Sequence, residues 1–169
     1  MAWRYNKSKL EQIEVRRSEM ANQILIDKLN DALRHEWTGV AQYSQAAFLV
    51  QGVLRPTYSE LFFDSAQESY GHAKIVGEKI VALGGVPAVD RNSVKQSQNL
   101  KEMLEFGLEF EKKAVVLYNE ALELAEGDRA LVVLLEDILK EEQEGVDDLS
   151  KLLRDEGTLA LLDATSNAG

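Results

Sequence analysis

The 169-residue chain has no cysteine. That excludes a disulfide framework, thiolate metal sites, iron–sulfur clusters and cysteine nucleophiles. It agrees with a reducing cytoplasmic setting. Proline is almost missing, at 2 residues, and glycine is held to 11. So few turn residues favour long helices over a turn-rich β fold. No apolar run approaches the roughly 18 residues that a membrane span needs, so no membrane is expected as a partner. The first stretch, MAWRYNKSKLEQIEVRR, lacks the apolar centre of a signal peptide. Positive charge is also short. Lys and Arg number 19 against 29 Asp and Glu, a formal net charge of −10. Phosphate recognition needs a basic face, so nucleic acid is not expected as a partner either. The acidity serves solubility and can also attract cations.

What the chain does have is apolar residues, 45% of the total, enough for one packed core. Their spacing is helical. Residues 1–17 are polar and mixed in charge and are expected as a short arm, with at most a helical turn near Lys9–Arg16. A first segment runs over 18–51, with Ser18 placed to cap it. Its stripe is Leu25, Leu29, Ala32 with Leu33, then Glu36, then Val40, Tyr43, Ala47 and Val50. A second segment covers 56–83, from Pro56 to the Gly84-Gly85 stop. Its stripe passes through Phe62, Ser65, Ser69, His72, Val76, Ile80 and Leu83. A third, 98–126, has a broad stripe in which Glu109 and Glu111 compete for the inward position. A fourth, 129–155, follows Gly127 and a capping Asp128. It carries Leu131, Leu135, Ile138, Glu142, Gly145 with Val146, and Leu149. Periods near 3.6 sustained over so many turns predict amphipathic helices. Two tight hairpins joined by the longer connection at 84–97 predict an all-α, up-down-down-up four-helix bundle with one crossover loop. The bundle should occupy 18–156. Residues 157–169 form a tail with one short apolar run, read as a C-terminal helical turn or a contact with a neighbouring subunit.

Chemistry enters where charged residues interrupt the apolar faces. Folding the first hairpin at its turn puts Glu36 about 15 residues before it and His72 about 16 after it. Folding the second at Gly127 puts Glu109 about 17 before and Glu142 about 15 after. At about 1.5 Å per residue all four reach mid-bundle at one level. Glu68 lies one helical turn from His72 and could join them through a local bulge. Burying one unpaired carboxylate costs several kcal/mol, and several facing one another should be worse. One or two divalent cations would remove that penalty. Carboxylates with an imidazole suit iron or manganese, with zinc also possible. His35, about 100° round the helix from Glu36, is expected at the surface. The acidic run Glu141–Glu144 is expected to be solvated apart from Glu142, and Tyr43 is expected in the core.

These motifs resemble the ferritin-like superfamily, most closely the bacterioferritins. Leu33-Arg-His-Glu36 followed by Gln42-Tyr43 is similar to the family's first-helix signature. His72-Ala73 running on to Leu83-Gly-Gly-Val-Pro87 is similar to its second-helix His-Ala and helix end. Leu108-Glu109-Phe-Glu111 and Ile138-Leu-Lys-Glu-Glu142 resemble the third and fourth. The resemblance spans about residues 30–153. It implies a carboxylate-bridged di-iron site in a ferritin-like bundle, oxidation of Fe(II) by oxygen or peroxide, and a homo-oligomer. Carried onto this chain, it implies metal ligation by Glu36, Glu68, His72, Glu109 and Glu142. Glu36, Glu109 and Glu142 would be the catalytic carboxylates. Glu142, with Glu68 if it turns inward, would bridge. The chain departs from the family pattern at two of its Glu-x-x-His positions. Ser69 stands three before His72, and Gly145 three after Glu142. Tyr70 stands where bacterioferritins carry their haem-binding Met, so no haem is expected. A peroxide-reducing enzyme like the rubrerythrins would need a partner to supply electrons. A degenerate site with a structural or single-metal role is the alternative reading.

Overall fold

The computed structural model describes residues 2–154, with side chains from residue 9 onward. Four helices account for the secondary structure of this range: α1 (Ala2–Leu49), α2 (Arg55–Ala82), α3 (Leu100–Leu124) and α4 (Arg129–Arg154). The expected all-α bundle is present, but its start differs. The arm and the first segment are one continuous helix, with no break at Ser18. Mixed charge with scattered apolar residues gives no local signal for where a helix begins, and nothing between Ala2 and Ser18 interrupts one. The expected C-terminal helical turn lies outside the described residues.

The turns follow the local chemistry. Gly52 adopts φ 77° between α1 and α2, and Pro56 sits in the first turn of α2, where a missing N–H costs nothing. At the other end of α2, Gly84 N–H bonds to Val81 O and Gly85 N–H to Ile80 O. This paired closure, with Gly84 at φ 84°, satisfies carbonyls the helix would otherwise leave bare. Asn99 caps α3, its side chain accepting from Glu102 N. Asp128 caps α4 as expected, with Leu131 N 3.0 Å from Asp128 Oδ1.

The crossover between α2 and α3 is held along one face of α1. Asn30 Oδ1 accepts from Ala88 N, Arg34 pairs with Asp90, Thr38 Oγ1 accepts from Asn92 N, and Gln42 Oε1 accepts from Lys95 N. Those four α1 residues recur every fourth position and so form one row along the helix. Trp37 adds a bond from Nε1 to Ala88 O.

Two apolar clusters fill the bundle. One gathers Leu25, Leu29, Val76, Ile80, Ala121 and Leu131 at the end where α1 enters. The other gathers Ala47, Val50, Phe62, Leu100, Leu104 and Leu149 at the opposite end. The shared ends fix the order of directions as up, down, down, up. The polar residues Glu36, His72, Glu111 and Glu142 are buried without belonging to either cluster. No helix among the described residues is long and apolar enough to cross a membrane.

Candidate metal centre

Three helices meet at the middle of the bundle with one ligand each. Glu36 comes from α1, His72 from α2 and Glu142 from α4. Their ligand atoms all lie within 4.8 Å of one another. His72 Nδ1 is 2.8 Å from Glu142 Oε1 and 3.8 Å from Glu36 Oε2. Glu36 is 0% exposed and Glu142 3%. Tyr118, from α3, donates to Glu36 Oε1 at 2.7 Å.

Two oxygens in this group are left unsatisfied. Glu36 Oε2 and Glu142 Oε1 are fully buried and make no hydrogen bond. The approach of His72 to Glu142 is close, but its geometry is that of an ion pair rather than a hydrogen bond. Buried polar atoms without partners are costly and rare in folded proteins. Both orphans converge with an imidazole nitrogen, and a carboxylate–imidazole donor set suits a first-row divalent metal. The residues present therefore fit one cation.

Protonation shows the same tension. Burial pushes the Glu36 carboxyl well above the usual carboxylate range, and the nearby Glu142 charge pushes further. Burial and then Glu142 do the same to Glu111. For His72, burial opposes the charged form, but Glu142, Glu36 and Glu141 outweigh it and raise the imidazole to about 10. In the metal-free protein, protons carry the positive charge that the carboxylates demand.

A second cation would find a poorer place. Ser69 is buried where a second-helix carboxylate was absent from the sequence pattern. A Cβ added at Gly39 would run into Ser69 Oγ and the Phe110 ring, so the hydroxyl occupies close-packed space. On α4, a Cβ added at Gly145 would meet Glu111 Cδ and Oε2 at 3.1 Å. The Glu111 carboxylate thus fills room that an imidazole at 145 would need. Tyr43 donates to Glu111 Oε1 and lies 3.3 Å from Gly107 O. Neither Ser69 nor Gly145 offers a carboxylate or an imidazole to a second ion.

Glu68 is exposed. It joins Glu141 and the other face of His72 in a second convergent group, with His72 Nε2 2.8 Å from Glu141 Oε2. Burial, the largest influence, raises the Glu68 carboxyl. Glu68 is therefore at the rim of the site, outside its buried part.

Two expectations are corrected. Glu109 does not reach the centre. It is exposed and pairs with Lys95 of the crossover. Glu111 takes the inward position instead, because the buried face of α3 runs Leu104, Gly107, Glu111, Ala114, Tyr118, Ala121. That is an alternation of three and four that skips 109. The signal lay in the small residues Gly107 and Ala114, which mark close helix approach but look weak beside the surrounding Leu, Phe and Val. His35 is buried, not at the surface. Its ring stacks on Phe110 with centroids 3.9 Å apart, and Nε2 bonds to Phe110 O at 3.0 Å. A bundle helix faces two neighbours, so α3 covers a sector of α1 beyond the stripe that faces α2. Tyr118, on the side of Glu36 that faces α3, was not singled out in the sequence.

Comparison with known proteins identifies the fold. A family model described as a ferritin-like domain matches residues 26–157. Among solved structures, the chain is similar to ferritin-like, diiron-carboxylate proteins from Bacillus anthracis strain Ames, with TM-score 0.77 and 32% identity over 79% of this chain and 98% of that one. It is also similar to a bacterioferritin-related protein from Bacteroides fragilis, described as a dodecameric thioferritin, with TM-score 0.75 and 27% identity over 82% and 89% of the two chains. A Dps protein from Bacillus brevis shares the fold at TM-score 0.74 and 18% identity, over 80% of this chain and 98% of that one. No curated protein matches the chain.

Proposed function

The chain belongs to the ferritin-like domain family, and on that premise we propose that it binds Fe(II) within the bundle and oxidises it with oxygen or peroxide, in iron storage or detoxification. Iron is the substrate here, with manganese or zinc as competing occupants of the same ligands. The observation that carries the reading is the convergence on His72 Nδ1 of two buried carboxylate oxygens that make no hydrogen bond, Glu36 Oε2 and Glu142 Oε1. Glu36, His72 and Glu142 hold the ion. Tyr118 orients Glu36 through its 2.7 Å bond. Glu111, tethered by Tyr43, is the additional carboxylate on the α3 side. Glu68 and Glu141 present a carboxylate rim on the outer face of His72, where a cation would first be attracted. Each Fe(II) would give up one electron, so two Fe(II) and two protons are consumed for each peroxide reduced to water, or four Fe(II) and four protons for each dioxygen. The ferric product carries more charge, which the two inner carboxylates stabilise.

The test is the ferric absorbance that follows addition of Fe(II) in air. Glu36→Ala should abolish the fast phase. Glu111→Gln should slow it, and Glu109→Ala should leave it unchanged. An unaltered rate in Glu36→Ala would overturn the site.

A second reading is favoured by Ser69 and Gly145, which leave one well-formed ion position. In that reading the bundle holds a single metal as a structural centre and does not oxidise iron. Metal stoichiometry decides, together with oxygen uptake. One tightly held ion per chain and no iron-dependent oxygen consumption would select this reading. The relative from Bacteroides fragilis is described as dodecameric, which supports a homo-oligomer here. The lack of cysteine supports a cytoplasmic setting.

A further inference from the structure

Two groups of carboxylates converge on His72, one at each ring nitrogen. Neighbouring residues of α4 contribute to both. Glu141 and Glu142 lie about 100° apart round the helix, so they straddle one imidazole. Glu142 is inside, with its side chain 3% exposed, and is 2.8 Å from Nδ1. Glu141 is outside, with its side chain 54% exposed, and is 2.8 Å from Nε2. The distances are equal but the geometry is not. Glu141 Oε2 forms a hydrogen bond with Nε2. Glu142 Oε1 lies off the line along which Nδ1 would donate and makes none. An exposed carboxylate accepts and does not donate, so Nε2 carries the proton of the outer bond. Glu68 and Glu141 are in contact with water, whereas the inner oxygens have no partner. A cation therefore gains more at Nδ1 than at Nε2.

We infer that Glu141 is a positioning residue: it holds the Nε2 proton of His72 and so keeps Nδ1 aimed at Glu36 and Glu142 as the nitrogen that ligates the metal. The inference rests on the metal centre proposed above and gives its two sides different roles. A ring nitrogen ligates through a free lone pair, so the proton on one nitrogen decides which of the two is available. A carboxylate at the far nitrogen also fixes the rotation of the ring and makes the ligating nitrogen a stronger donor. When a cation binds, the proton that leaves the ring is the one on Nδ1, and the one shared with Glu141 stays. Both α4 carboxylates thus act on the single imidazole that α2 contributes, one as ligand and one as support. Within the acidic run Glu141–Glu144, this separates Glu141 from Glu144, which is exposed and pairs with Lys140 of its own helix.

The chain has 2 histidines, so its imidazole nitrogen NMR spectrum is simple to assign, with His72→Ala leaving His35 alone. Adding Zn(II), which is diamagnetic, should move the His72 Nδ1 signal to that of a metal-bound nitrogen while Nε2 keeps its proton. Glu141→Ala should weaken Zn(II) binding by about 10- to 100-fold. Glu141→Gln should recover part of that loss, because its amide oxygen still accepts from Nε2–H. Glu144→Gln removes an equal charge from the same helix and should change the affinity by less than about threefold. Binding as tight in Glu141→Ala as in the native chain, no recovery in Glu141→Gln, or an equal loss in Glu144→Gln would overturn the positioning role. Zinc on Nε2 would also overturn it and put the ion at the rim. No zinc response at His72 in the native chain would overturn the metal centre itself, and the inference with it.

Discussion

Glu36 and Glu142 face each other across one imidazole, and neither can reach solvent. Their mutual repulsion is relieved by protons when no metal is bound. Glu36 keeps its proton well above the ordinary carboxylate range because it is buried beside Glu142. His72 stays charged up to about 10 because Glu142, Glu36 and Glu141 outweigh its burial. A cation takes the place of those protons, so binding releases them. The sign follows. Raising the pH removes the competing protons, and metal affinity should climb through the neutral range and level off only near pH 10. Each proton released corresponds to about tenfold in affinity per pH unit. Titrating the metal-free protein with Co(II), a non-oxidising stand-in for Fe(II), at pH 6 and pH 8 checks this. Equal dissociation constants at the two values would mean that Glu36 and His72 are already deprotonated in the free protein.

At the scale of the element, each helix places its ligand through its own stripe and is fixed by its ends. Asn99 begins α3 in extended conformation and accepts from Glu102 N. This sets the register that brings Glu111 inward and leaves Glu109 outside. Asn99→Ala removes that cap and should destabilise the fold by about 1 kcal/mol, read as a lower urea midpoint with unchanged slope. A loss within error would assign the register to side-chain packing alone. Much of this architecture is legible in the sequence. Phe62, Ser69, His72, Val76 and Ile80 mark the buried face of α2, and Leu131, Leu135, Ile138 and Glu142 that of α4. The Gly84 stop and the Asp128 cap follow from elementary backbone chemistry. The phase of α3 is not legible in the same way. Phe106, Leu108, Val115 and Val116 are apolar but lie off the buried face, and Gly107 and Ala114 define that face by their smallness. His35 is hidden for a related reason, since periodicity along one helix says nothing of the width covered by a second neighbour.

For the whole molecule, the centre is a tie between helices that the two apolar clusters hold only above and below it. Its ligands come from α1, α2 and α4, far apart in the chain, so the unfolded chain offers no equivalent site. A metal that binds only the folded form stabilises it by mass action. At a free concentration about a hundredfold above the dissociation constant, the gain is about 2.7 kcal/mol. For a chain of this size that corresponds to a rise of about 5–10 °C in Tm. Differential scanning calorimetry of the metal-free protein, with and without Co(II) at pH 8, should show that rise. In His72→Ala the rise should vanish, because the two remaining carboxylates lose the imidazole that completes the donor set. The metal-free Tm of that variant gives its own baseline, so loss of packing at 72 does not enter the difference. A full rise in His72→Ala would place the stabilising ion elsewhere, on the acidic surface rather than between Glu36 and Glu142.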